Sequence, residues 1–180
     1  MYLVLNLGLK SIRGIVFDKN GYQKYIKSFN INTVMLDEII EQDANEWKTY
    51  FHKILLDIKE NTNFSKLIKS VTVTTSSSCI LGLGDHGKIL TKVLMVSDKR
   101  SFKEVKEIKN DLNFQKLKNK PTCSTSSTIP KILWFKNNSN KIFNNVKHWI
   151  GAGEYLTYLL TGELITDPLN AGKAFYNGSC

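Results

Sequence analysis

The chain has 180 residues, 42% of them hydrophobic and 23% charged, with a formal net charge of +9 at pH 7. That length supports one full hydrophobic core rather than two, and the composition is that of an ordinary globular domain. Without an apolar run long enough to span a bilayer, a membrane-embedded role is excluded by expectation.

The opening "MYLVLNLGLK" has no basic stretch before its apolar residues and no small-residue cleavage site after them. It therefore reads as a strand rather than a signal peptide, and the cytoplasm is the expected address. Tyr2 to Leu7 and Ile12 to Phe17 are apolar and partly β-branched, "DKNGY" (Asp18 to Tyr22) is a tight-turn cluster, and Gln23 to Asn30 alternates. This pattern predicts a three-strand meander. Its first turn carries Asn6, Gly8, Lys10, Ser11 and Arg13. Glycine there lets the main chain approach a ligand closely, and the lysine, serine and arginine supply donors suited to phosphate oxygens. A glycine-bearing surface hairpin accounts for the same residues.

From Asp43 the period changes. Trp47, Phe51, Ile54, Leu55 and Ile58 recur at steps of three and four, which predicts an amphipathic helix, and Asp43 with Glu46 three residues later reads as a capping box. "SVTVTT" (Ser70 to Thr75) is β-branched and predicts a buried strand returning to the sheet, running into Ser76, Ser77 and Ser78. "CILGLGDHGKILTKVLMV" predicts a hairpin about "GDHG". Ser101 to Leu112 predicts a short helix with Phe102, Val105, Ile108 and Leu112 inward and its charges in water. Lys118 to Thr128 is a loop by composition, and a helix begins at Ile129 with Pro130 in its first turn. "GAGEYLTYLLTGE" predicts a last helix, with Leu156, Leu159 and Leu160 inward and Gly162 at its end.

A meander followed by alternating helices and strands is an α/β arrangement with a mixed sheet, an order shared by ribonuclease H-like and actin-like ATPase domains. The positive charge raises a nucleic-acid reading. Of the 25 basic residues, however, only Arg13 and Arg100 are arginine, the better fork for phosphate and base contacts. A scatter of solvated lysines is the simpler reading, and it argues against nucleic acid. Cys79, Cys123 and Cys180 form neither a CxxC pair nor an even disulfide framework, in keeping with a reducing compartment. His52, His86 and His148 read as surface or packing residues.

Six segments, in order, resemble the FGGY carbohydrate kinases, in particular their xylulose-kinase-like and glycerol-kinase-like members. "NLGLKSIR" followed by "GIVFDKNG" is similar to the family's opening D-L-G-T-T-S-x-R, strand, aspartate and turn glycine. "IEQDANEWKTYFHKIL" resembles its glutamine, acidic residue and tryptophan leading into a helix, and "SVTVTTSSSCILGLGDHGKIL" its strand, polar loop and hairpin at the sugar site. "VSDKRS" resembles the tryptophan-x-aspartate-x-arginine segment, with Val96 in the aromatic place. "IPKILWFKNN" and "EYLTYLLTGELITDPLNAG" resemble the lysine-leucine-leucine-tryptophan helix and the L-T-G-E…T-D…N-A segment.

The resemblance implies an actin-like fold and ATP-dependent transfer of a phosphoryl group to a sugar or polyol hydroxyl, with Mg2+ and ATP as cofactors. It places nucleotide phosphates at Asn6, Gly8, Lys10, Ser11 and Arg13, and substrate at Ser76, Ser77, Ser78, Asp98 and Arg100. Within the phosphate turn two positions depart from the family. Its opening aspartate, which helps position magnesium, falls on Asn6, a poorer partner for a hard cation, and its phosphate-contacting threonine falls on Leu9. Ser76, Ser77 and Ser78 replace glutamine, methionine and histidine. A plain polar loop explains those serines equally well, and a local ion pair explains Asp98 with Arg100.

No residue in the chain inherits the family's general base. Residues 1–180 are accordingly expected to be the N-terminal actin-like domain of a sugar kinase, truncated, without its C-terminal domain and silent by itself. An exposed cleft wall, covered by the missing domain or by a homodimer partner, follows from that expectation. Two alternatives stay open: a non-catalytic actin-like binding module, and a basic ribonuclease H-like nucleic-acid binder, for which the first strand lacks the converging carboxylates two metals require.

Overall fold

Alternation along the first strand divides the sheet into two faces. In β1 (Tyr2–Leu7) Leu3, Leu5 and Leu7 are buried while Tyr2, Val4 and Asn6 are not. β2 (Ser11–Phe17) and β3 (Gln23–Asn30) continue from it as an antiparallel meander. Asp18 closes their turn by accepting from the amides of Asn20 and Tyr22. β6 (Ser70–Thr75) then lies parallel to β1, giving the order β3-β2-β1-β6. The computed structural model describes residues 1–175; Cys180 lies outside them.

The inner face of this sheet is sealed by α1 (Ala44–Asn61), whose Trp47, Phe51, Ile54 and Ile58 are buried, and by α6 (Ala152–Thr161), which contributes Tyr155 and Leu156. Gly14 explains how closely α1 sits: a Cβ there would come within 2.2 Å of Ile54 Cγ2, so a larger residue would force the Ile54 side chain or the helix carrying it to shift. Phe29 stacks on Tyr50 at 4.8 Å between ring centres, tying β3 to the same helix.

Several elements differ from the sequence reading. β6 is an edge strand with Val71 41% exposed, not a buried one, because β-branched residues mark a strand without telling centre from rim. The capping box is half formed. Asp43 accepts from the Asn45 amide, but Glu46 turns away to take the Asn32 amide and side chain, pinning the loop before the helix. That loop leads into a hairpin of β4 (Val34–Leu36) and β5 (Ile39–Gln42), joined by β8 (Val93–Leu94) in a small second sheet. "GDHG" does turn and its arms pair as a hairpin, Leu83 bridging Ile89 and Ile80 bridging Leu94, while each arm also pairs outward, β7 (Leu81–Leu83) with β9 (His148–Ile150) and β8 with β5.

α2 (Phe102–Asn110) stops earlier than its periodicity suggests, since Asp111 caps a separate short helix, α3 (Leu112–Lys116). Its buried residue is Glu104, hydrogen-bonded to Asn137 of α4 (Thr128–Asn138), whereas Phe102 and Leu112 are exposed. α5 (Asn140–Asn145) follows α4, and α7 (Pro168–Lys173) follows α6, which ends as expected at a left-handed Gly162.

Candidate functional site

β1 and β6 run parallel, so the turn after one and the loop after the other open at the same end of the sheet, where open α/β sheets place their ligands. The turn is held from behind. Thr33 Oγ1 and Gln42 Nε2 both donate to the Leu9 carbonyl at 2.7 Å, and the Trp47 indole donates to Gln42 Oε1 at 2.8 Å. The buried Gln42 thus links the helix that seals the core to the main chain of the turn. Gly8 donates its own amide to the Ser11 carbonyl, so that amide is taken up inside the turn. Among the described residues, the Leu9 and Lys10 amides have no hydrogen-bond partner.

Side chains at this end form a polar row across all four strands. Register places Asn6 between Arg13 and Thr74, and Ser28 beyond Arg13. Arg13 and Lys10 are exposed, Asn6 is half-buried and Ser11 is buried. Asn6, Gly8, Lys10 and Arg13 are therefore brought together at one rim. Ser11 sits beside them with little surface to offer.

The loop after β6 is less uniform than three serines in a row suggest. Ser76 and Ser77 are half-buried at the rim. Ser78 is fully enclosed, in the left-handed region at φ 64°, where its hydroxyl finds no partner among the described residues. Its backbone is gripped from two sides: its amide donates to Asn170 Oδ1 at 3.3 Å, and its carbonyl accepts from Lys131 Nζ at 2.9 Å. Lys131 also donates to the Met95 carbonyl at 2.6 Å, so one buried ammonium ties the serine loop to the segment that leads to Asp98. Burial pulls the Lys131 amine down to about 8, with Cys79 and Asp98 opposing the shift and Arg100 adding to it. The same burial pushes the neighbouring Cys79 thiol up.

Asp98 and Arg100 prove to be occupied with each other, as the ion-pair reading expects. The Arg100 side chain donates to both Asp98 oxygens at 2.8–3.0 Å and to Glu41 at 2.8 Å, while Ile40 donates its amide to Asp98 Oδ2. The guanidinium lies 5.0 Å from the Trp134 ring centre. Asp98 has no exposed surface. Direct substrate contact, expected for Ser78, Asp98 and Arg100, is thus not what this geometry provides: their polar groups are enclosed or paired, Ser78 being gripped at the end of the serine loop and Asp98 with Arg100 tying their own segment to β5.

Gln42, Lys131 and Asn170 have no assigned role in the sequence reading. One signal was available for the second: in "IPKILWF" a lone lysine interrupts an apolar run, which costs too much to bury unless its donors are used. As for ligands, the rim suits an anion. A hard divalent cation has no carboxylate at Asn6, and no group of three or more His, Cys, Asp or Glu capable of holding a metal occurs among the described residues. No helix among these residues is long and apolar enough to cross a membrane.

Residues 1–177 match the family model described as "FGGY family of carbohydrate kinases, N-terminal domain". A xylulose kinase of Lactococcus lactis is 26% identical over 169 residues, 92% of this chain and 34% of its own length. An autoinducer-2 kinase of Escherichia coli is 25% identical over 179 residues, 94% of this chain and 33% of its own. The chain thus spans about a third of the length of the curated relatives it matches.

Among solved structures, a xylulose kinase from Rhodospirillum rubrum superposes with a TM-score of 0.87 at 20% identity, covering 96% of this chain and 37% of that one. A gluconate kinase from Lactobacillus acidophilus gives 0.84 at 23%, covering 96% and 35%. At such identities the likeness is one of fold, and it bears out the actin-like α/β architecture.

Proposed function

Because this chain belongs to the FGGY family of carbohydrate kinases, we propose that it acts in ATP-dependent transfer of the γ-phosphoryl group to a sugar or polyol hydroxyl, in the cytoplasm, as the N-terminal actin-like domain. The observation that carries this reading is the meeting of the cationic turn and the serine loop at one end of the parallel strands, in a chain matched to the family along almost its whole length. Phosphoryl transfer depends on positioning and charge neutralisation rather than on covalent chemistry by the protein. Lys10 and Arg13, with the open Leu9 and Lys10 amides, are suited to the terminal phosphates. Gly8 gives them a close approach, and Ser11 and Asn6 flank them. Ser76 and Ser77 face the sugar, and Ser78, held by Lys131 and Asn170, keeps that loop in place.

The residues fit the phosphates of ATP better than they fit its metal, since Asn6 offers magnesium a neutral amide oxygen. The general base and the adenine pocket belong to a second, C-terminal domain, and residues 1–180 alone do not turn over. Isothermal titration of the chain with ATP, with and without Mg2+, tests this. Weak binding nearly indifferent to the metal is expected, and Asn6→Asp should make binding tighten with Mg2+ by about tenfold, the effect of ~1.4 kcal/mol of added charge pairing. ATP binding that is abolished by neither Lys10→Ala nor Arg13→Ala would remove the turn from the site.

A second reading, a binding module without chemistry, is favoured by the pair Asn6 and Leu9. It is chosen if Asn6→Asp leaves metal dependence unchanged while a sugar such as xylulose still shifts the exchange of the Ser76 and Ser77 amides.

A further inference from the structure

Two routes of hydrogen bonds run from the first turn of α1 to one carbonyl in the turn between β1 and β2. Along the first, the Trp47 indole donates to Gln42 Oε1 at 2.8 Å and Gln42 Nε2 donates to the Leu9 carbonyl at 2.7 Å. Along the second, Glu46 takes the amide and side chain of Asn32, and Thr33, the next residue, donates its hydroxyl to the same carbonyl at 2.7 Å. Gln42 Nε2 also donates to Thr33 Oγ1 at 2.8 Å, which ties the routes together. Gln42 is buried, and both hydrogens of its amide and its oxygen are engaged. An indole can only donate, so Trp47 fixes which end of that amide faces the turn.

A trans peptide unit is planar and carries its C=O and N–H on opposite sides. Holding the Leu9 oxygen toward Gln42 and Thr33 therefore turns the Lys10 N–H away from them. The Lys10 carbonyl is held as well, by the Ile31 amide at 2.9 Å, so the peptides on both sides of Lys10 are fixed.

We infer that Gln42 and Thr33 are a positioning pair for the phosphate site: by gripping the Leu9 carbonyl they aim the Lys10 N–H at the bound anion, and so set how tightly the turn holds it. Both act through Leu9 and not on the anion itself. A donor already held in place meets no ordering cost when its ligand arrives, which is the advantage the pair confers. The role also accounts for Glu46, which leaves the capping box for Asn32 and so immobilises the residue beside Thr33. The inference deepens the proposed phosphate role of the turn and rests on it.

Titration of the full, isotope-labelled chain with inorganic tripolyphosphate, followed by amide NMR and calorimetry, tests it. Three substitutions accompany the parent: Gln42→Met, which removes both ends of the amide, Thr33→Val, which removes the hydroxyl at a half-buried loop position, and Thr33→Ser, which keeps it. None changes the charge, so the Coulombic pull on the anion stays the same. The Kd is expected to rise about fivefold or more in Gln42→Met and Thr33→Val and to stay within about twofold of the parent in Thr33→Ser. The Lys10 amide resonance should move on adding tripolyphosphate in the parent and in Thr33→Ser, and much less in the other two. Without ligand, residues 8–11 should gain picosecond-to-nanosecond motion in Gln42→Met and Thr33→Val while the Leu5 and Gly14 amides do not. A purely structural role would lower the melting temperature and leave the affinity and the Lys10 shift of the folded chain as in the parent, which would overturn the inference. If Gln42→Met does not fold, the contrast between Thr33→Val and Thr33→Ser decides. A parent that binds no tripolyphosphate overturns the phosphate reading of the turn together with this one, whereas a parent that binds, with Thr33→Val binding equally well, overturns this one alone.

Discussion

The two faces of the four-stranded sheet are built from the same strands and both carry apolar residues, more of them on the inner face, yet they do opposite things. On the inner face Leu5, Ile12 and Val16 have no exposed surface under α1 and α6. On the outer face Val4, Ile15 and Ile26 stand directly across from one another, and Ile26 remains 47% exposed. Above that apolar row runs the polar row of Thr74, Asn6, Arg13 and Ser28. The stability of the described fold therefore comes from the inner side, while the outer side leaves Ile26 open.

Substitution can break this contrast. Trp47→Ala should have the largest effect, about 3–5 kcal/mol lost in urea unfolding, because it opens a cavity under the sheet and leaves Gln42 Oε1 without its indole donor. Leu5→Ala follows, at about 2–5 kcal/mol. If its cost is instead below ~1 kcal/mol, the inner face is not the core. Asp43→Ala, which removes the cap of the sealing helix, should cost about 1 kcal/mol.

That cap has a pH signature. The hydrogen bond from Lys92, with those from Asn45, holds the Asp43 carboxyl below its ordinary value against the opposing effect of burial. A depressed native carboxyl stabilises above its unfolded value and loses that contribution as pH falls through the native one. The wild-type unfolding midpoint should therefore drop more steeply than that of Asp43→Ala between about pH 5 and pH 2. Smallest is Ile15→Thr on the outer face, expected within about 0.5 kcal/mol of the parent. A cost equal to that of Leu5→Ala would show that something covers this face in solution.

Strands β1 to β3 and helix α1 were legible in the sequence because each carries a long, unbroken period with its own stop signals. β4 and β5 were not: three- and four-residue strands are shorter than the window in which a period of two can be recognised, and a positive-φ Asp37 makes their turn without glycine. The candidate site was legible as a set of segments, since the turn at Gly8 and the serine loop meet where parallel strands end. Division of labour within the set was hidden, because burial is a property of the assembled fold. Nothing in "TSSSC" distinguishes a rim serine from Ser78, whose backbone is locked by a lysine more than fifty positions away. Asp98 and Arg100 stood in the sequence either as substrate positions by resemblance or as a local ion pair, and the structure adds Glu41 and Trp134 to the pair, partners that lie far off in the chain.

The parallel pairing of β1 with β6 also orders events in time. Tyr2 lies against Ser70, so this ladder forms only after the chain closes a loop of roughly 70 residues, whereas the meander needs only neighbours, and long-range closure is the slower process. A nascent chain will hold the anion turn as a local hairpin before its opposite rim exists, and β6 is the last of the four described strands to arrive.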